Sequence, residues 1–140
     1  MIIMPPNIVV DASVIVKWIA QEEKSTKALI LRDLHKQGIS VIHIPTLLYY
    51  EITNTLANNI GLPLQKITQF FETLESLELK EEQLQFRKDF EEIAQLSQRY
   101  STSSYDASYV YLAHKLNTEF ITADSKLFTK TKKLGYVKLL

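Results

Sequence analysis

Four acidic residues stand out by where they fall in the chain's pattern. Asp11 closes the β-branched run Ile8-Val9-Val10. Asp124 comes two residues after Phe120-Ile121-Thr122. Asp106 lies in the first turn of a helix that Ser103 or Ser104 can cap. Glu51 is the one charge in a helical stretch with Leu47 and Leu48 a turn behind it and Asn54, Thr55 and Asn58 a turn ahead. Carboxylates brought together repel one another and lose hydration, so either some hold protons or a cation compensates them. An all-oxygen set without cysteine or paired histidine favours Mg²⁺ or Mn²⁺ over zinc. Such an ion keeps waters, binds phosphate oxygens and lowers the pKa of a bound water. Two ions ~3.5–4 Å apart clamp the attacking and leaving oxygens of a phosphodiester. The protein then supplies position and field, with no covalent nucleophile.

Each acid also has a plainer reading. Aspartate is a favoured helix N-cap, and negative charge is stabilised at a helix N-terminus. A lone glutamate among apolar and amide neighbours is ordinarily exposed; the sharper reading sets Glu51 against a cation with Asn54 in support. His35, His43 and His114 share no metal-ligand spacing and read as ordinary surface or core residues. The chain has no cysteine, which excludes disulfides, thiolate metal sites and a cysteine nucleophile.

The elements that must position these acids alternate between short apolar strands and helices. Ile8–Val10 reads as a buried strand, followed by helix-compatible Ala12 to Gln21. A helix spans Lys24 to Gln37, with Ala28, Ile30, Leu31 and Leu34 at helical spacing and Gly38 to stop it. A second strand spans Ile39 to Ile44. Pro45 suits the first turn of the next helix, Thr46 to Asn59, which closes near Gly61. Leu64, Ile67, Phe70, Phe71, Leu74 and Leu77 form an apolar stripe on a fourth helix, and Phe86, Phe90, Ile93, Ala94 and Leu96 form another. A helix from Tyr105 to Leu116, a strand Phe120–Thr122, a helix Ser125 to Leu134 and a strand Tyr136–Leu139 complete the chain.

This alternation implies βαβ crossovers and a parallel sheet covered on both faces. In such sheets sites form at the carboxyl ends of the strands where the strand order reverses, so at least two of the acids should meet there. The long middle, Thr46 to Tyr100, carries little strand signal and suggests a helical hairpin projecting from the α/β body.

The chain's 140 residues, 46% of them hydrophobic, suit one domain with one core, spanning residues 1–140. No repeat, low-complexity tract or Gly/Ser linker divides it. The 16 basic and 16 acidic residues balance, so net charge advertises no nucleic-acid partner. The apolar start Met1–Pro6 is short and lacks a basic region, which argues against a signal peptide. No apolar run approaches the ~20 residues a membrane helix needs. A cytoplasmic protein is expected.

Four segments together resemble the four motifs of PIN domains: Val9-Val10-Asp11-Ala12-Ser13-Val14, Tyr50-Glu51-Ile52-Thr53-Asn54, Tyr105-Asp106-Ala107-Ser108-Tyr109 and Ile121-Thr122-Ala123-Asp124-Ser125-Lys126-Leu127. Any one of them is weak; the order Asp, Glu, Asp, Asp over nearly the whole chain is specific. The resemblance implies a Rossmann-like three-layer α/β/α sandwich with a central parallel sheet and a projecting helical hairpin. It implies Mg²⁺- or Mn²⁺-dependent ribonuclease activity. Asp11 and Asp106 would be the central metal ligands, Asp124 would bind a second metal or a bridging water, and Glu51 would hold a ligand water or take part in its activation. Ser13 and Thr122 match small hydroxyl positions beside the acids, with helix capping or strand-end bonding as the alternative. Asn54 matches a polar position that accompanies the glutamate. Small single-domain members of this kind are mostly toxins of VapBC toxin–antitoxin pairs, typically dimers inhibited by a small antitoxin. That implies an RNA substrate, an antitoxin partner and a homodimer.

Local charge points to where RNA would lie. Residues 72–92 are rich in acid, including Asp89. Residues 124–140 hold Lys126, Lys130, Lys132, Lys133 and Lys138 against Asp124 alone. Lys126, Lys130 and Lys17 are candidates to neutralise phosphates beside a cut site; a solvated helix face is the alternative. The seven tyrosines could stack on bases, though core or interface is the commoner role, and the Phe70/Phe71 pair fits core or dimer packing. Competing readings are a non-catalytic PIN-like binding module, a PIN nuclease of general RNA processing, a DNA nuclease and a receiver-type phosphoacceptor. The last should carry an acidic pair at the first strand, where this chain has Asp11 alone.

Overall fold

A computed structural model describes residues 4–19 and 25–140 of the chain. Its centre is a five-stranded, wholly parallel sheet: β1 (Asn7–Val10), β2 (Val41–Pro45), β3 (Lys80–Glu82), β4 (Glu119–Thr122) and β5 (Val137–Leu139), in the order β3-β2-β1-β4-β5. Helices α1 (Ala12–Ile15), α2 (Ser25–Lys36), α3 (Leu47–Asn54), α4 (Leu64–Ser76), α5 (Phe86–Tyr100), α6 (Ser104–Lys115) and α7 (Ser125–Thr131) flank it. This is the parallel sheet covered on both faces expected from the alternation of elements, and the three-layer α/β/α sandwich that the motif resemblance implies. Ile8, Val9 and Val10 have no exposed surface, as a central strand covered on both faces requires.

The chain leaves β1 in one direction towards β2 and β3, and later returns on the other side of β1 with β4 and β5. The order therefore reverses between β1 and β4. The strands being parallel, the helices that directly follow them begin at one shared edge, among them α1, α3 and α7; α6 follows α5, and its first turn reaches the same edge, where Asp106 lies in the field of Asp11 and Asp124. Their aligned peptide dipoles favour negative charge there.

Local chemistry moves several boundaries. α1 is only one turn long and tightens into a 3₁₀ turn, Val16–Trp18. The end of the stretch expected to continue to Gln21, and Lys24 at the expected start of α2, lie outside the described residues, as do Met1–Ile3. On α2 the buried side chains are Ala28, Leu31 and His35, while Ile30 is half exposed. β2 begins at Val41 and leaves Ile39 in solvent. Pro45 is not in a helix. It is the last residue of β2, opposite Glu82, and Thr46 stands at the N-cap.

The helical middle needs two corrections. After Asn54 the helix widens into a π-helical segment, Thr55–Ile60, which Gly61 ends in the left-handed conformation (φ 74°). Pro63 then starts α4, and this hairpin carries its tip, residues 58–61, in solvent. The second correction is β3, a strand where none was expected. Its sequence, Lys80-Glu81-Glu82, has no apolar residue; it is one of the sheet's two outer strands, and charge there blocks pairing with a further strand. On α5 the buried face is Asp89 and Ile93, whereas Phe86 and Phe90 remain exposed, their rings 6.1 Å apart. Of the Phe70/Phe71 pair, Phe70 enters the core and Phe71 stays partly exposed.

Two of the histidines are buried. His35 accepts from the backbone N–H of Ile42 at Nδ1 (3.0 Å), so its Nε2 donates to the Leu77 carbonyl (2.7 Å). His43 lies between Glu82 (2.8 Å) and Asn7 (2.8 Å), tying β2 to β1 and β3.

Candidate functional site

The edge where strand order reverses is built around Asp11. β1 ends at Val10, and Asp11 turns out of the sheet to cap α1, its Oδ1 accepting from the Ser13 N–H at 3.1 Å and the Ser13 hydroxyl at 2.5 Å. Its Oδ2 accepts from the hydroxyl of Thr122, the last residue of β4, at 2.6 Å. The same two hydroxyls accept from the next segment: Ala123 N–H donates to Ser13 (2.9 Å) and Asp124 N–H to Thr122 (3.1 Å). Asp124 caps α7 by accepting from Lys126 and Leu127 N–H groups. The capping reading and the strand-end reading thus both describe real bonds. They join the two strands on either side of the order reversal into one network that leaves Asp11 95% covered.

Asp106 reaches this edge from α6. Ser103 is the N-cap, its hydroxyl accepting from the Asp106 N–H at 3.0 Å. Glu51, on α3, is half-buried, and its Oε1 accepts from the Tyr109 hydroxyl at 2.5 Å. Asn54 does not support it: that side chain is exposed and accepts from Asn58. Tyr109 is wholly buried, with its ring stacked on Phe120 of β4 (centroids 5.7 Å apart, planes 11°).

Electrostatics shows how closely the acids meet. Burial pushes the Asp11 carboxyl up from its ordinary 3.8 to about 6; the bonds from Ser13 and Thr122 work against this, and the charges of Asp106 and Glu51 add to it. Glu51 is raised by burial, restrained by the Tyr109 hydroxyl and raised again by Asp106. Asp106 is raised by burial and by Asp124, and lowered by the Ser103 bond and the charge of Lys130. Each acid thus lies within the field of another, on one side of the molecule.

Among the described residues, no three acidic or imidazole groups stand together closely enough to enclose an ion by themselves. The donor set still fits a hard divalent ion. It offers only oxygen, three of its carboxyls are raised by burial and by neighbouring acids, and Mg²⁺ ordinarily keeps several waters and needs only one or two carboxylates.

The basic candidates differ in placement. Lys130 is exposed, its Nζ donates to the Ser101 carbonyl at 2.9 Å, and its charge reaches Asp106. Lys126 is exposed in the first turn of α7, and Lys17 is partly buried in the 3₁₀ turn after α1. An apolar groove of about 320 Å³, lined by Leu47, Leu84, Phe90 and Tyr105 among others, runs beside the start of α6.

Reading the sequence missed two residues. Tyr109 was one tyrosine among seven, and its signal was its position one helical turn after Asp106. Asp89 was counted in an acidic surface run. It is fully buried, accepting from the Tyr111 hydroxyl (2.5 Å), from Lys115 Nζ (3.1 and 3.2 Å) and from the Gln85 N–H (2.6 Å). Its signal was its place four residues before Ile93 on the buried face of α5.

The sequence matches the family model described as the PIN domain over residues 8–134. The structure is similar to the crystal structure of PAE2754 from Pyrobaculum aerophilum, with a TM-score of 0.64 and 23% identity, covering 89% of this chain and 85% of that one. No curated protein matches the sequence.

Proposed function

Because the chain belongs to the PIN domain family, whose members are generally nucleases, we propose that it is a divalent-metal-dependent ribonuclease that hydrolyses RNA phosphodiester bonds. The observation that carries this reading is that Asp11, Glu51, Asp106 and Asp124 lie in one another's field at one sheet edge, where burial first and neighbouring acids next raise the first three. Asp11 and Asp106 are the residues to hold a Mg²⁺ or Mn²⁺ ion, Asp124 serves a second ion or its water, and Glu51 holds a ligand water. When bound, the ion supplies a water of lowered pKa and charge stabilisation at the phosphate.

The protein's own groups do the rest. Ser13 and Thr122 fix the direction of the Asp11 carboxylate by donating to both of its oxygens. The helix N-termini at this edge favour the anionic acids and a phosphate beside them. Lys130 and Lys126 lie where flanking phosphates would pass, and Lys17 is a third candidate.

We read the chain further as the toxin of a VapBC-type pair, acting in the cytoplasm as a homodimer and restrained by a small antitoxin. This rests on the motif resemblance. No helix among the described residues is long and apolar enough to cross a membrane. Co-purification with the product of a short neighbouring reading frame tests the pairing, and gel filtration tests the dimer.

Incubation of mixed RNA with the purified protein tests the activity. Cleavage with Mg²⁺ or Mn²⁺ that is lost with EDTA and in Asp11→Asn is the expected result. Cleavage that survives both sinks the proposal, and competition between RNA and DNA of one sequence decides the sugar.

A further inference from the structure

Tyr109 carries more than its share of the core. Its ring is fully buried between α6 and β4, yet its hydroxyl reaches a half-buried carboxylate from another element, 58 residues earlier in the chain. A buried phenol must place its hydroxyl on a partner, and the partner here is Glu51. Three constraints fix that hydroxyl. The ring is stacked on Phe120, and two residues further along the same strand Thr122 holds Asp11. Tyr109 lies three positions after Asp106 on α6, so the two side chains share a helix face. At 2.5 Å the bond is a short, charge-assisted one, and it occupies Oε1 of Glu51.

We propose that Tyr109 is the positioning residue that fixes Glu51, holding its carboxylate by Oε1 in one orientation towards an ion or its water. α6 then delivers two parts of the site from one face: Asp106 itself, and the clamp on Glu51. Without the clamp, Glu51 on α3 is free to change rotamer, and the spacing between its carboxylate and Asp106 is no longer set by the fold. This inference rests on the metal-nuclease reading above.

Tyr109→Phe removes the hydroxyl and keeps the stacked ring. The expected result is a fall in kcat of about 10- to 100-fold with KM for RNA nearly unchanged, and weaker Mn²⁺ binding by calorimetry of the metal-free protein, in line with the effect of losing a residue that orients a metal site. The deciding measurement is a double-mutant cycle for both quantities: in a Glu51→Gln background, Tyr109→Phe should cost nothing more. Independent losses in the two backgrounds, a loss confined to KM, or no loss at all overturns the inference. Should Tyr109→Phe fail to fold, Glu51→Asp withdraws the carboxyl from the hydroxyl by one methylene and must reproduce the loss; wild-type kcat and Mn²⁺ affinity in that variant also overturn it. If the wild-type protein cleaves no RNA, the nuclease reading falls by itself, and the Mn²⁺ cycle still decides whether Tyr109 acts through Glu51.

Discussion

Asp11 and Asp89 are both buried aspartates, and the protein treats them in opposite ways. Asp89 lies between α5 and α6 with a lysine, a phenol and a backbone N–H on its carboxylate, and these hold it below the ordinary carboxylate range, the Tyr111 bond first among them. Burial first, and then the bond to Asp89, push the Tyr111 phenol up to about 12. Asp11 has two hydroxyls and an N–H, but burial, and after it the charges of Asp106 and Glu51, raise it to about 6. One carboxylate is compensated by the fold; the other waits for compensation from outside. A buried charge with its own counter-ion fastens helices, whereas a buried charge facing like charges is poised for a ligand.

The sharpest way to break this contrast is to neutralise each acid in turn. Asp11→Asn should lower cleavage by about a thousandfold, the scale of several kcal/mol of lost charge stabilisation, while its melting temperature stays level or rises at neutral pH. Asp89→Asn, measured in parallel, should keep its full activity per folded molecule. Equal losses of activity in both variants would erase the distinction.

The pH dependence of stability in metal-free protein comes next in size. Asp11 is raised, so the folded chain keeps a proton that the unfolded chain has released. Its stabilising effect is complete below 3.8 and is lost as pH climbs to about 6. The window corresponds to roughly 3 kcal/mol. Urea unfolding should show the advantage of Asp11→Asn over wild type opening across that range, and millimolar Mg²⁺ or Mn²⁺ at pH 7.5 should close it by stabilising wild type alone. Asp89 is lowered, so its contribution is present above the ordinary carboxylate value and disappears in acid below it. The two variants should therefore depart from wild type at opposite ends of the titration.

Smaller again is the direct cost of Asp89→Asn at neutral pH. Loss of the charge from a fully buried site bonded to Lys115 should destabilise by about 2 kcal/mol, read as an earlier urea midpoint. Smallest is Tyr111→Phe, which removes one hydroxyl from the same carboxylate and should cost about 1 kcal/mol with cleavage intact. Its counterpart at the other pocket, Tyr109→Phe, makes the same chemical change and should do the reverse, sparing stability and lowering turnover.

What the sequence disclosed follows the same division. The β-branched run before Asp11, the capping serine before Asp106 and the Thr122-Ala123-Asp124 step are local signals, and each lies on the element that composition and periodicity indicate. β3 was invisible because an outer strand of Lys-Glu-Glu carries no apolar alternation and is held by pairing with β2 alone. Phe86 and Phe90 attracted the apolar stripe of α5 although the helix turns Asp89 inward; periodicity cannot announce that a charged residue faces the core when its partners, Tyr111 and Lys115, are supplied by another helix. Asn54 was the partner the sequence offered Glu51, and Tyr109 was overlooked for the same reason: its hydroxyl comes from α6, 58 positions along the chain.

The bond between Asp11 and Thr122 spans 111 positions, and this separation has a consequence in time. During synthesis the first acid is made long before the hydroxyl that orients it, before Asp106 and before Asp124. Contacts so distant along the chain are closed late in folding. The assembled acid cluster therefore exists only after the segment through Asp124 has emerged from the ribosome and docked beside the first strand.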